Sequence, residues 1–317
     1  MLKDQGYAYH GLDLTPDPAA AAVQKQIRIE AAARQNRRTA RDYNDESYFL
    51  PTDADEQDRL NRQHEMCLLV LDGRLGHAPV TQPKHVLNVA TGTGIWAYEY
   101  GAHAASAHPD TNVLGTDLYP IQASHSLPNL AFMQHDTSGE WAFPHPFDYI
   151  HLRYIVCCFD SKPSVIRKAY DNLTPGGWIE IFDPCIDHLA VDESFEDSAA
   201  RRWSRAVRDG GLKLGRPLNS NKLYAEWCNE AGFVNVTEDR YALPSNAWPR
   251  DGKLKEVGAL NSEVLYALVD SLGRFLRAEV GEDEAQALEE GARRDILDGV
   301  RFCTDVRNVY AQKPLSA

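Results

Sequence analysis

The sequence predicts an α/β fold: a doubly wound, mainly parallel sheet of seven strands. Three observations carry the prediction. A short β-type run, His85-Val-Leu-Asn-Val89, passes directly into Ala90-Thr-Gly-Thr-Gly94 and then into an apolar helical pattern from Ile95. Short apolar runs alternate with helix-length segments from residue 86 to residue 182, which is the rhythm of βαβ units. An acid, Asp117, closes the second apolar run. In such folds that is where a ribose is gripped, while glycines let the backbone approach the ligand.

Each element has its own signal. Residues 1–20 are polar, contain Pro16 and Pro18 and show no period, so disorder is expected there. The Ala/Gln/Arg-rich stretch 19–41 reads as a helix, and 53–75 as a second with Leu60, Met66 or Cys67, Leu69, Val70 and Leu71 on its apolar face. A strand over 86–89, a helix over 95–107 and a strand over 112–116 follow, then a loop rich in Pro and Asn. Strands over 131–135 and 149–153, a helix over 164–173, the turn Thr174-Pro-Gly-Gly177 and a strand over 178–182 complete the alternation.

After Asp183 the rhythm changes. Helices are expected over 193–210 and 222–231, the second ended by Gly232. A strand over 233–243 is broken by Pro244 and Pro249, helices over 253–280 and 282–297 follow, and a strand over 306–311 is the last element. The expected organisation is an extension over 1–40, a helical lid or brace over 41–80, a cofactor-binding core over 81–185 and a helical substrate cap with the last two strands over 186–317.

Composition narrows the partners. With 317 residues, 43% of them hydrophobic, the chain can bury a full core. Thirty-three basic side chains stand against 46 acidic ones, a formal charge of −13. The short basic patch Arg34, Arg37, Arg38 and Arg41 lies in a polar segment and reads as a solvated face. Nucleic acid and anionic membrane are therefore poor partners. The six cysteines form no CxxC pair and have no metal-ligand spacing with histidine, so buried thiols in a reducing compartment and no metal are expected. No apolar run reaches the ~18 residues of a membrane span, and MLKDQGYAYHGL lacks the apolar core of a signal peptide. A cytoplasmic location is expected.

Gly92-Thr-Gly94-Ile-Trp-Ala97 also fits the dinucleotide pattern G-x-G-x-x-A, so the turn alone serves two cofactors. The later pieces decide between them. Gly115-Thr-Asp117-Leu, Gln134-His-Asp136, Phe147-Asp-Tyr-Ile-His-Leu-Arg153, Asn172-Leu-Thr-Pro-Gly-Gly-Trp-Ile-Glu180 and Arg307-Asn-Val-Tyr-Ala-Gln-Lys-Pro314 together resemble a class I S-adenosylmethionine-dependent methyltransferase. More narrowly, the chain resembles the fungal small-molecule methyltransferases related to the regulator of secondary metabolism and to the dithiol S-methyltransferases. Tyr48-Phe-Leu-Pro-Thr-Asp53, Glu56-Gln-Asp-Arg-Leu60, Gln63-His64, Thr91-Gly-Thr-Gly-Ile-Trp96, Pro120-Ile-Gln122 and His151-Leu-Arg153-Tyr154 carry that likeness.

The resemblance implies a Rossmann-like methyltransferase core, S-adenosyl-L-methionine as cofactor and transfer to an O, S or N atom of a small molecule. A methyltransferase-like protein without transfer, regulatory or cyclase-type, stays open beside it. Ala90, Thr91, Gly92 and Gly94 would line the loop under the methionine half. Asp117 would accept from both ribose hydroxyls, with Leu118 against the adenine. Asp136, with Thr137 beside it, matches the acid that reads the adenine amino group; capping the next turn is its alternative. His151 and Arg153 would flank the transferable methyl, and His151, then Asp183, are the candidate bases. Cys157 and Cys158 read as packing. Tyr48, Arg59 and His64 belong either to a lid touching cofactor or to a brace. Two departures stand out: Asn88 replaces the family's acid and Ala90 its first glycine, the latter tolerable at negative φ. Trp203, Trp227, Trp248, Tyr224 and Phe195 are candidate pocket walls or core.

Overall fold

The computed structural model describes residues 15–18, 20, 50–122 and 126–316. The expected helix over 19–41, the basic patch and Tyr48 lie outside them, apart from residue 20. The chain divides into two compact units, Leu71–Asp183 with Ser220–Asp239 and Arg307–Ala317, and Met1–Val70 with Pro184–Asn219 and Arg240–Val306.

The first unit carries β1 (His85–Val89), α2 (Ile95–Ala107), β2 (Asn112–Asp117), β3 (Leu130–Gln134), β4 (Phe147–Arg153), α3 (Lys162–Asn172), β5 (Leu173–Pro184) and α5 (Tyr224–Ala231). Strands β1 to β5 are parallel, with Val86 opposite Val113 and Tyr149, Val113 opposite Leu130, and Ile150 opposite Ile179; the β4–β5 register shifts between Phe147 and Tyr149. The sheet order is β3-β2-β1-β4-β5-β8-β6 with β7 on β8, where β6 is Leu189–Ala190, β7 Val234–Pro244 and β8 Phe302–Gln312. Short β6, antiparallel to β8, is an eighth strand beyond the seven expected; two residues carry no readable alternation.

Central parallel strands are covered on both faces, which is why they read as apolar runs. Leu87, Val89, Ile150, Leu152, Ile179 and Ile181 are buried with Val165, Ile166 and Ala169 of α3 and Tyr224 and Cys228 of α5. Val86, Val113 and Tyr149 are buried with Trp96 and Ala97 of α2. Each such aliphatic side chain contributes about 1.5–3 kcal/mol relative to exposure. Ser161 accepts from Ser164 N at 3.4 Å, and Pro163 sits in the first turn of α3. Gly232 ends α5 at φ +98°, as its position predicts. The turn expected over 174–177 lies instead inside β5, where the register against β4 shifts, and it meets the Lys-Pro segment: Gly176 N donates to Lys313 O at 2.9 Å and Lys313 N to Gly177 O at 2.8 Å.

The second unit is mainly helical: α1 (Ala54–Val70), α4 (Ala199–Lys213), α6 (Gly252–Ser271), α7 (Gly273–Glu279) and α8 (Glu282–Asp298). Helix α1 packs on α6, and α4 on α7 and α8. The helix expected over 193–210 is a 3₁₀ turn, Glu193–Phe195, followed by α4; Ser198 ends the gap by accepting from Arg201 N at 3.1 Å. The helix expected over 253–280 breaks at Leu272 (φ −89°, ψ 7°), beside Gly273. Arg59 grips Glu56 at 2.7 and 3.0 Å and Gln63 at 2.6 Å, and Ser271 Oγ donates to Glu56 at 2.7 Å. Arg59 is thus part of a buried brace between α1 and α6. Among the described residues no helix is long and apolar enough to cross a membrane, no disulfide joins the cysteines, and no His, Cys, Asp and Glu cluster is arranged to hold a metal.

Candidate active site

The carboxyl ends of β1 and β2 build the loop that the sequence singles out. Three of its residues are left-handed: Ala90 (φ +51°), Gly92 (φ +58°) and Gly94 (φ +81°). The expectation that Ala90 keeps a negative φ is therefore corrected. An L-residue with a Cβ pays roughly 1–2 kcal/mol there, and the methyl is packed against the core under α3. Thr91 N donates to Thr116 O at 2.9 Å and Gly94 N to Thr91 O at 3.0 Å, closing the turn over β2.

Asp117 is tied into that loop. Its Oδ2 accepts from Gly92 N at 2.7 Å and its Oδ1 from Tyr119 N at 3.1 Å. Burial raises its carboxyl above the ordinary range, while backbone hydrogen bonds from Tyr119, Gly92 and Leu118 oppose the shift. A carboxylate has about four lone-pair sites, so with these three backbone donors acceptor capacity remains for a ligand hydroxyl. Gln122, quoted in the family likeness without a role, donates to Gly92 O at 2.8 Å and Tyr119 O at 3.0 Å. Phe132 of β3 went unnoticed in the sequence. A Cβ on Gly94 would stand 2.6 Å from its ring and one on Gly115 2.7 Å, so two glycines on neighbouring elements were the available signal.

The other residues divide. Asp136 is exposed, and its Oδ1 accepts from Ser138 N at 2.9 Å, the turn-capping geometry. Thr137 is buried, its carbonyl accepting from Trp141 Nε1 at 2.9 Å. Leu118 is half-buried, with its carbonyl bonded to Gln134 Nε2 at 3.0 Å. Arg153, half-buried, is the last residue of β4, before the left-handed Tyr154 (φ +56°). His151 does not leave the strand: it is buried within β4, opposite Asn88 and Glu180, with its ring stacked on Trp96 at 3.8 Å and 2°. Asn88 Nδ2 lies 3.1 Å from His151 Nδ1 and 3.2 Å from His151 O, and Thr91 Oγ1 donates to Asn88 Oδ1 at 2.6 Å.

Asp183 is sealed. Its oxygens accept from Tyr224 Oη at 2.5 Å and Val156 N at 3.2 Å. Burial pushes its carboxyl up to about 7, against the hydrogen bond from Tyr224 and the charge of buried Lys162. Burial also raises the Cys158 thiol strongly and that of Cys228 to about 12, so these cysteines are packing groups, not ready thiolates.

Residues 59–238 match the family model of a methyltransferase domain. The chain belongs to this methyltransferase family. Methyltransferase pytC of Aspergillus terreus is 33% identical over 279 residues, covering 86% of this chain and 85% of the relative. The secondary metabolism regulator LAE1 of Cochliobolus heterostrophus is 32% identical over 219 residues, 67% of this chain and 70% of the relative. The probable methyltransferase tdiE of Emericella nidulans is 29% identical over 268 residues, 82% of each chain.

The methyltransferase also uses a buried acid that sequence reasoning did not select. Glu180 of β5 accepts from His77 N at 2.8 Å, Ala78 N at 2.9 Å, Tyr149 Oη at 2.8 Å and Asn308 Nδ2 at 2.8 Å. It anchors the segment entering β1, and a Cβ on Gly76 would stand 2.7 Å from its carboxylate. Of the candidate pocket walls, Phe195, Trp203 and Trp248 are buried in the helical unit and Tyr224 in the sheet unit. Phe195 stacks on Phe302 at 4.7 Å.

Proposed function

We propose that this methyltransferase moves a methyl group from S-adenosyl-L-methionine to an O, S or N atom of a small molecule in fungal specialised metabolism, in the cytoplasm. The observation that carries the reading is Asp117, held at the end of β2 by Gly92 N at 2.7 Å with acceptor capacity left over. The glycine loop, shaped around Phe132, supplies the close backbone approach that the cofactor needs. When bound, the cofactor supplies an electrophilic methyl on a sulfonium.

The chain's own residues do the rest. Asp117 grips a ribose hydroxyl with Leu118 beside the adenine, and Asp136 and Thr137 read the far edge of the base. Ala90, Thr91, Gly92 and Gly94 underlie the methionine half, with Arg153 at the end of β4. The gain comes from aligning nucleophile with methyl and excluding water. Thiolate and amine acceptors need little proton handling. Asp183, whose oxygens are engaged by Tyr224 and the Val156 amide, has a structural part rather than that of a base.

Calorimetry with S-adenosylmethionine, S-adenosylhomocysteine and NAD tests the cofactor. Binding of the first two and not the third is expected, and failure of both to bind removes the reading. A labelled-methyl assay over thiols, phenols, amines and carboxylic acids then tests turnover. Tight cofactor binding without transfer to any of them favours the regulatory or cyclase-type alternative.

A further inference from the structure

We propose that Asn88 is a positioning residue that fixes the His151 imidazole as its Nε2–H tautomer and couples that ring to the glycine loop, so that His151 serves as a hydrogen-bond donor and not as a general base. The role in methyl transfer rests on the cofactor reading above; the tautomer does not.

The orientation of the Asn88 amide follows from its neighbours. One terminal atom lies 3.2 Å from the carbonyl oxygen of His151 and 3.1 Å from its Nδ1, while the other lies 2.6 Å from Thr91 Oγ1. A backbone carbonyl only accepts, so the atom beside it is the NH₂ group. Its two hydrogens serve the carbonyl and Nδ1, and the Thr91 hydroxyl donates to the remaining Oδ1. Nδ1 is then an acceptor. A neutral imidazole that accepts at one nitrogen carries its proton on the other. The stack on Trp96 at 3.8 Å and 2° holds the plane of the buried ring.

Two consequences follow. A nitrogen that already carries the proton cannot take one from an acceptor, so whatever group Nε2 faces meets a donor. The carboxylate that the family resemblance leads one to expect at position 88 would demand Nδ1–H and leave Nε2 basic, so asparagine inverts the ring's role. Thr91, whose N also bonds Thr116 O at 2.9 Å, extends the coupling from His151 to the loop beneath the cofactor.

The full chain labelled with ¹⁵N-histidine tests this, with His151 assigned by comparison with His151→Gln. Long-range ¹H–¹⁵N spectra distinguish a proton-bearing ring nitrogen from an accepting one. In the wild type, Nε2 is expected to bear the proton and Nδ1 to accept. Asn88→Asp should bring a proton onto Nδ1, and Asn88→Ala should mix the tautomers. A wild-type ring protonated at Nδ1 overturns the proposal, and so does an Asn88→Ala ring with the wild-type pattern. The wild-type spectrum is decisive even if a variant does not fold. The expected spectrum in a protein that fails to bind S-adenosylhomocysteine would instead overturn the cofactor reading and, with it, His151's role as a donor in transfer.

Discussion

Two side chains set the energetics of the glycine loop that follows β1. Asp117 is half-buried and already receives backbone hydrogen bonds from Gly92 N and Tyr119 N, so its direction is fixed before a ligand arrives. Asp117→Ala should weaken S-adenosylhomocysteine binding by about 1.5–3 kcal/mol, the worth of hydrogen bonds to a charged group, measured by calorimetry. An unchanged Kd would take the residue out of the site. Ala90 sits at φ +51°, where its Cβ is strained by roughly 1–2 kcal/mol. Glycine relieves that strain but costs about 0.5–1 kcal/mol in chain entropy. Ala90→Gly should therefore raise unfolding stability by a net ~0.5–1 kcal/mol in chemical denaturation. A loss instead would mean that the packing of the Ala90 methyl outweighs its backbone strain.

At the scale of elements, close approach is bought with glycine. Gly210 of α4 lies against α7, and a Cβ there would stand 1.8 Å from the Phe275 carbonyl oxygen. Gly210→Ala should cost about 1–3 kcal/mol as the helices are forced apart. Gly252→Ala, where a Cβ meets nothing within 4 Å, is the matched control and should be near neutral or slightly stabilising. Equal effects in denaturation would sink the packing argument. Such contacts also mark what could be read in the sequence. The buried strands β1, β2, β4 and β5 were legible because a sheet covered on both faces writes itself as apolar runs. So were Gly232, whose role depends on near neighbours in the chain, and the place of Asp117 at the end of β2. The break at Leu272 was not, because Leu-Gly inside an apolar helical pattern interrupts no period. Phe132 against Gly94 and Gly115, Asn88 against His151, and Glu180 against the 77–78 amides were invisible for a different reason. Each depends on which strands pair, and the Asn88–His151 contact spans 63 residues of chain.

For the whole molecule, buried ionisable groups decide how stability responds to pH, and two of them oppose one another. Asp183 is raised from 3.8 to about 7 by burial. Between those values the folded chain holds a proton that the unfolded chain has released, so this contribution is present in full below about pH 4 and is lost as pH rises towards 7. His188 is lowered from 6.5 to about 4, again by burial, and among the described residues its buried Nδ1 has no hydrogen-bond partner. Here the unfolded chain holds the extra proton, so its contribution is present above pH 6.5 and is lost as pH falls towards 4. Each slope has a ceiling of about 1.4 kcal/mol per pH unit, with opposite signs over nearly the same window. The wild type should therefore show a flatter profile from pH 4 to 6.5 than either single variant. Asp183→Asn should leave stability rising with pH across that window, and His188→Phe should leave it falling. Chemical denaturation at half-unit pH steps measures all three profiles. Parallel profiles for the two variants would show that neither group titrates between the folded and unfolded chains as its burial requires.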